Sequence, residues 1–145
     1  MDIRTVTGKF SASPQIAPGD LAELRAKGFA SVICNRPDDE DAGQPSAADV
    51  AAAATAAGLA FHHIPVSGGG FGEPQVTAMV EAIDGAGGPV LAYCRTGTRS
   101  TLLWSLAQAA KGDSPDRIAA AAAGAGYDIT PVRPAVDMLA ARARA

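Results

Sequence analysis

A thiol, two guanidinium groups, a glycine and a run of hydroxyls are crowded into Cys94-Arg95-Thr96-Gly97-Thr98-Arg99-Ser100. Cysteine attacks as its thiolate, and a helix N-terminus with a neighbouring arginine can bring a thiol from ~8.5 to roughly 3.5–7.5. Arg99 can fork onto two oxygens of a tetrahedral oxyanion. Arg95 adds charge at the rim, and Ser100 can donate a hydrogen bond to the thiolate. The backbone amides of Thr96, Gly97 and Thr98 can line a cradle for the anion. The chemistry this predicts is nucleophilic attack by Cys94 on a small tetrahedral anion or its ester.

Two elements must hold that loop. Val90 to Tyr93 is a short apolar run after Gly88-Pro89 and reads as a buried strand. Thr101 to Ala110 has apolar residues at helical spacing: Leu102, Leu103, Leu106, and Ala109 or Ala110. A loop leading from a strand end into a helix start aims free N–H groups at one spot, and the helix dipole adds positive character there. Gly97 permits a backbone conformation strained for other residues.

The same pattern recurs upstream. Ile3 to Thr7 and Lys9 to Ala12 read as short edge strands. A helix from Pro18 through Leu21 and Leu24 stops at Gly28, and Ala30 to Asn35 is a strand. Arg36 to Asp41 is a charged loop. Ser46 caps a helix that Gly58 closes, Ala60 to Val66 is a strand, and Ser67 to Gly72 reads as a mobile loop. Pro74 opens a helix with Val76, Met79, Val80 and Ile83 on one face. This alternation predicts an α/β fold with a central, mostly parallel sheet flanked by helices and a ligand site at the carboxyl ends of its strands. After residue 112, Ser114-Pro115 starts one helix, and Thr130-Pro131 or Arg133-Pro134 starts the last.

At 145 residues the chain is expected to form one domain, 1–145. A net charge of −3 without a basic stripe argues against nucleic acid. No stretch is apolar enough for a membrane span or a leader, and two cysteines without a secretory context suggest a reducing, cytoplasmic setting. Cys34, inside an apolar run, reads as a packed thiol, with a resolving role for Cys94 as the alternative. His62 and His63 are adjacent on a strand and point to opposite faces, so they do not share a metal; no metal or cofactor is expected. Arg36 is either a second cation for the anion or a surface partner of Asp38 or Glu40.

The motif Cys94-x-x-Gly97-x-Arg99-Ser100 after an apolar strand resembles the loops of cysteine-dependent phosphatases and of rhodanese sulfurtransferases. The former place five residues between cysteine and arginine, the latter commonly four; this chain has four. Tyr93 stands where many phosphatases carry a histidine. With Leu21 to Gly28, Val32 to Pro37 and Ile64 to Val66, the chain resembles the bacterial β-lactamase hydrolase-like protein, phosphatase-like domain family, over roughly residues 1–112. That resemblance implies a fold like the dual-specificity phosphatases. It also implies a connection to sulfur transfer and to a persulfide dioxygenase-type partner, to which some members are fused.

In dual-specificity phosphatases an aspartate in the loop after the third strand protonates the leaving alcohol. Here that loop begins Ser67-Gly68-Gly69-Gly70, leaving Glu73, Asp38 and Glu40 as candidate acids. The short loop and the missing acid point first to a sulfurtransferase that carries sulfane sulfur as a Cys94 persulfide. Arg99, Arg95 and the loop amides would hold a small anionic sulfur donor such as thiosulfate. The alternative is a phosphatase hydrolysing a phosphoester through a phosphocysteine. A third reading is an anion-sensing module without turnover.

Overall fold

The computed structural model describes residues 1–67 and 70–145; Gly68 and Gly69, within the loop read as mobile, lie outside the described residues. The sheet contains β1 (Arg4–Thr5), β2 (Phe10–Ser13), β3 (Ser31–Cys34), β4 (Ala60–His63) and β5 (Val90–Tyr93). Their spatial order is β1-β2-β5-β3-β4. The last four run parallel to one another, and β1 pairs antiparallel with β2. The helices are α1 (Leu21–Ala26), α2 (Ala47–Ala57), α3 (Glu73–Asp84), α4 (Thr98–Ala110), α5 (Pro115–Gly124) and α6 (Arg133–Arg144). The fold is therefore α/β, with a mostly parallel central sheet flanked by helices.

Side chains alternate faces along a strand, and this alternation divides the core in two. Val32, Cys34, Leu91 and Tyr93 pack with Leu21 and Leu24 of α1 and with Val50 and Ala54 of α2. Ile33, Val90, Ala92, Phe10 and Ala12 pack on the other side with residues of α3, α4, α5 and α6. The helices after residue 112 thus share a core with the helix that follows Cys94. In α4, every residue from Ser100 to Ala107 is buried, as expected of a helix enclosed on all sides. Two of its buried hydroxyls are satisfied along the helix: Thr101 Oγ1 donates to Gly97 O (2.9 Å) and Ser105 Oγ to Thr101 O (2.8 Å). The Phe10 and Trp104 rings stack with centroids 5.5 Å apart, fastening α4 to β2.

Three sequence expectations change. The segment containing β2 was expected at an edge; it lies inside the sheet, because all four of its residues are buried and its free side pairs with β5. The strand expected to reach Val66 stops at His63, where Pro65, lacking an N–H, interrupts the ladder. The helix expected from Thr101 begins three residues earlier, at Thr98. Caps behave as read: Ser46 Oγ accepts from Asp49 N–H and Ser114 Oγ from Arg117 N–H.

The parallel strands deliver their carboxyl ends to one side of the sheet. There Asn35 N–H donates to Tyr93 O (2.8 Å), Val66 N–H to Asn35 O (3.0 Å) and Asn35 Nδ2 to Ile64 O (2.9 Å). The exits of β3, β4 and β5 are tied together before any functional side chain is placed.

Leu103 is fully buried in α4. Leu103→Ala removes its transfer energy and leaves a cavity, so urea unfolding should show a loss of about 2–5 kcal/mol with an unchanged m-value. A loss under about 1 kcal/mol would show that α4 is not central to the core.

Candidate active site

β5 ends at Tyr93 and delivers Cys94, which is fully buried, to the start of α4. Four residues later the chain is already helical. This tight passage needs Gly97 at φ 90°, a left-handed conformation that favours glycine. As a result Gly97 N–H donates to Cys94 Sγ at 3.1 Å, and the first turn of α4 begins beside the sulfur. The expected juxtaposition of thiol and helix N-terminus is present.

Arg99 sits in that first turn. Its two terminal nitrogens meet the two Glu40 carboxylate oxygens, each at 2.8 Å, and Nη1 also donates to Val66 O at 2.8 Å. The planar fork expected for an oxyanion is thus filled by a carboxylate of the chain itself. Glu40 also accepts from Arg36 Nε at 2.9 Å. Arg36 Nη2 reaches Asp41 at 2.6 Å and its Nη1 donates to Gln15 Oε1 at 3.0 Å. Arg95, largely exposed, lies 3.6 Å from Asp41. Three arginines and two carboxylates therefore form one charged network across the mouth of the loop.

The network corrects several sequence expectations. Arg36 pairs with Glu40, as one of its two readings expected, but it is buried rather than at the surface, and it is not an open second cation. It is 3 % exposed, and all three guanidinium nitrogens have partners, which hold the acidic loop in place. Glu40 does not suit general acid work in this arrangement. The hydrogen bonds and charge of Arg99, with those of Arg36, hold its carboxyl at about 2 against the opposing effect of burial. Asp38 accepts from Ala47 N–H at 2.8 Å at the start of α2. Glu73 is exposed at the first residue of α3, on an apolar groove of about 670 Å³ that also touches α4 and α6.

In the first turn of α4, Ser100 Oγ is buried without a partner, and it is Gly97 N–H rather than the serine hydroxyl that reaches Cys94 Sγ. Thr96 Oγ1 donates to Thr98 Oγ1 (3.0 Å) and accepts from Thr98 N–H (3.3 Å), so both threonine hydroxyls brace the loop. Cys34 points into the layer of α1 and α2 and donates to Arg36 O at 3.3 Å; burial pushes its thiol up. His63 Nε2 lies 3.0 Å from the same carbonyl. Sequence reasoning missed the pairing of Arg99 with Glu40, 59 positions away, and the contribution of Val66 O. No local signal announces either contact.

Comparison with known proteins places this geometry. The family described as "Beta-lactamase hydrolase-like protein, phosphatase-like domain" matches residues 2–111. A β-lactamase hydrolase-like protein of Agrobacterium fabrum is 41% identical over 102 residues, covering 70% of this chain and 23% of that protein, so the chain spans about a quarter of its length. A crystal structure of a candidate phosphatase from Neisseria meningitidis shares 36% identity at a TM-score of 0.82, covering 96% of this chain and 99% of that one. The core catalytic domain of a PP-IP phosphatase from S. cerevisiae, in complex with citrate, shares the fold at a TM-score of 0.69 and 15% identity, covering 95% and 85%. These likenesses favour the phosphatase alternative over sulfur transfer, and neither a sulfur donor nor a persulfide dioxygenase-type partner gains support from them. Among the described residues, no helix is long and apolar enough to cross a membrane.

A carboxyl held below its ordinary value stabilises the fold above that value, and the gain is lost as pH falls through the depressed one. For Glu40 this contribution should be complete above about 4.5 and fade towards about 2. Carboxyl NMR across that range should place the Glu40 midpoint near about 2. A midpoint near the ordinary 4.5 would show that the pair with Arg99 does not form in solution.

Proposed function

The chain belongs to the β-lactamase hydrolase-like protein, phosphatase-like domain family, and on that premise we propose that it is a phosphatase working through a phosphocysteine on Cys94. The observation that carries this reading is the first turn of α4. Gly97 N–H lies on Cys94 Sγ, and the Arg99 fork projects from the same turn. Backbone N–H groups and a planar fork suit the equatorial oxygens of a transferring phosphoryl group.

In the proposed reaction, Cys94 Sγ attacks phosphorus. The S–P bond forms as the P–O bond to the leaving group breaks, and its electron pair departs on that oxygen. Water then attacks phosphorus, the S–P pair returns to sulfur, and inorganic phosphate is released. Arg99 exchanges Glu40 for the phosphoryl oxygens, while Arg36 retains Asp41 as a partner for its own charge.

The state of the acids sets the substrate class. Glu40 serves as a counter-ion of Arg36 and Arg99 rather than as a proton donor, Asp38 is engaged at α2, and Glu73 is exposed at the start of α3. A phenol, at about 10, leaves as its anion far more readily than the much less acidic aliphatic alcohol. Aryl phosphates, phosphotyrosine among them, therefore fit this site better than alkyl phosphates.

The test is steady-state hydrolysis of an aryl and an alkyl phosphate, with intact mass of the acid-quenched protein. An aryl preference of at least about 100-fold, the size of a general acid's contribution, is expected. A phosphoryl adduct should be present in the native chain and lost in Cys94→Ser, which keeps the shape but not the nucleophile. No phosphoryl adduct, with a gain of one sulfur after thiosulfate, would overturn the phosphatase reading.

A further inference from the structure

The Thr96–Gly97 peptide is held from both ends. Its N–H, that of Gly97, donates to Cys94 Sγ at 3.1 Å. Its carbonyl, that of Thr96, accepts from Tyr127 Oη at 3.2 Å. In a planar trans peptide the C=O and N–H point in opposite directions. A hydroxyl gripping the carbonyl on one side therefore aims the amide at the sulfur on the other. We propose that Tyr127 is a positioning residue for Cys94, acting by locking this peptide plane.

The lock is needed because of Gly97. A glycine accepts either sign of φ at little cost, so the preceding peptide can turn over. The turned peptide would present the Thr96 carbonyl oxygen to the sulfur, where its partial negative charge opposes a thiolate. The Tyr127 hydroxyl holds one orientation, and its ring closes against the glycine. A Cβ at Gly97 would collide with Tyr127 Oη and lie 2.9 Å from Cζ.

Tyr127 is itself fixed from three directions. α5 ends in a turn in which Tyr127 N–H returns to Ala122 O (3.0 Å) and Gly126 N–H to Ala123 O (2.9 Å), with Gly126 at φ 91°. Its ring is 7 % exposed within the core shared by α3 to α6. The Arg4 guanidinium, held by Asp2, stands 5.4 Å from the ring centroid. Burial pushes the phenol up, so it keeps the proton that it donates. Tyr127 lies beyond the 2–111 stretch matched by the family. It gives the C-terminal segment a part in the site.

The role rests on Cys94 as the nucleophile, but its test does not require phosphatase turnover. Tyr127→Phe keeps the ring and removes only the hydroxyl. Amide hydrogen exchange of Gly97 should rise about two- to tenfold, the share of one net hydrogen bond. Exchange at Leu103, which reports opening of the core, should stay at its native value. Alkylation of Cys94 by iodoacetamide at neutral pH should slow, and kcat/KM on an aryl phosphate should fall by a similar factor. If the variant is also globally looser, the ratio of Gly97 to Leu103 exchange still reads the peptide. An unchanged ratio, or native alkylation, would overturn the proposal. A raised ratio with slowed alkylation, in a protein that hydrolyses no phosphate, would uphold it and sink the phosphatase reading instead.

Discussion

One guanidinium holds three crossovers of the sheet together. Arg99 belongs to the first turn of α4; it binds Glu40 from the loop after β3 and Val66 O from the segment after β4. Each segment leaves the carboxyl end of a parallel strand, where chains diverge and backbone groups lose their ladder partners. A planar fork with several donors can bridge such ends, whereas an ammonium lacks the fixed geometry. The site and the local order of the fold therefore rest on the same side chain.

That dependence shapes the electrostatics. With Glu40 in its fork, Arg99 is charge-paired, and Arg36 and Arg95 share Asp41. In the proposed reaction, an arriving phosphoryl group must displace Glu40 from Arg99. Displacing Glu40 gives up its ion pair with Arg99, so the phosphoryl group must bind the fork more strongly than the carboxylate does. Glu40 and Asp41 act here as counter-ions to Arg36, Arg95 and Arg99. On the proposed function, this arrangement suits esters whose leaving group needs little protonation.

The segment after residue 112 is part of the same device. α6 covers the buried α4, and the turn after α5 sends Tyr127 back onto the loop. On our proposal, the Tyr127 hydroxyl removes the backbone freedom that Gly97 leaves in the Cys94 loop.

The sequence by itself determined the alternating strands and helices, the parallel sheet, and the Cys94 loop at a strand's carboxyl end. These follow from local periodicity, from caps such as Ser46 and Ser114, and from the types of neighbouring residues, all of which are read within a few positions. It also showed which residues could bear charge near an anion, but not how they would pair. Arg36 was legible as a cation; its burial against Asp41 and Gln15 was not. Glu40 was legible as an acid, yet its place in the fork of Arg99 turned a proton donor into a counter-ion. Ser100 and Gly97 were both legible beside the thiol, and only the backbone turn decided that the amide, not the hydroxyl, reaches the sulfur. Tyr127, 33 positions after Cys94, carried no local signal at all. Pairing of this kind depends on where separate crossovers meet in space, and the packing of α4 against the sheet and α6 alone brings those crossovers to one point.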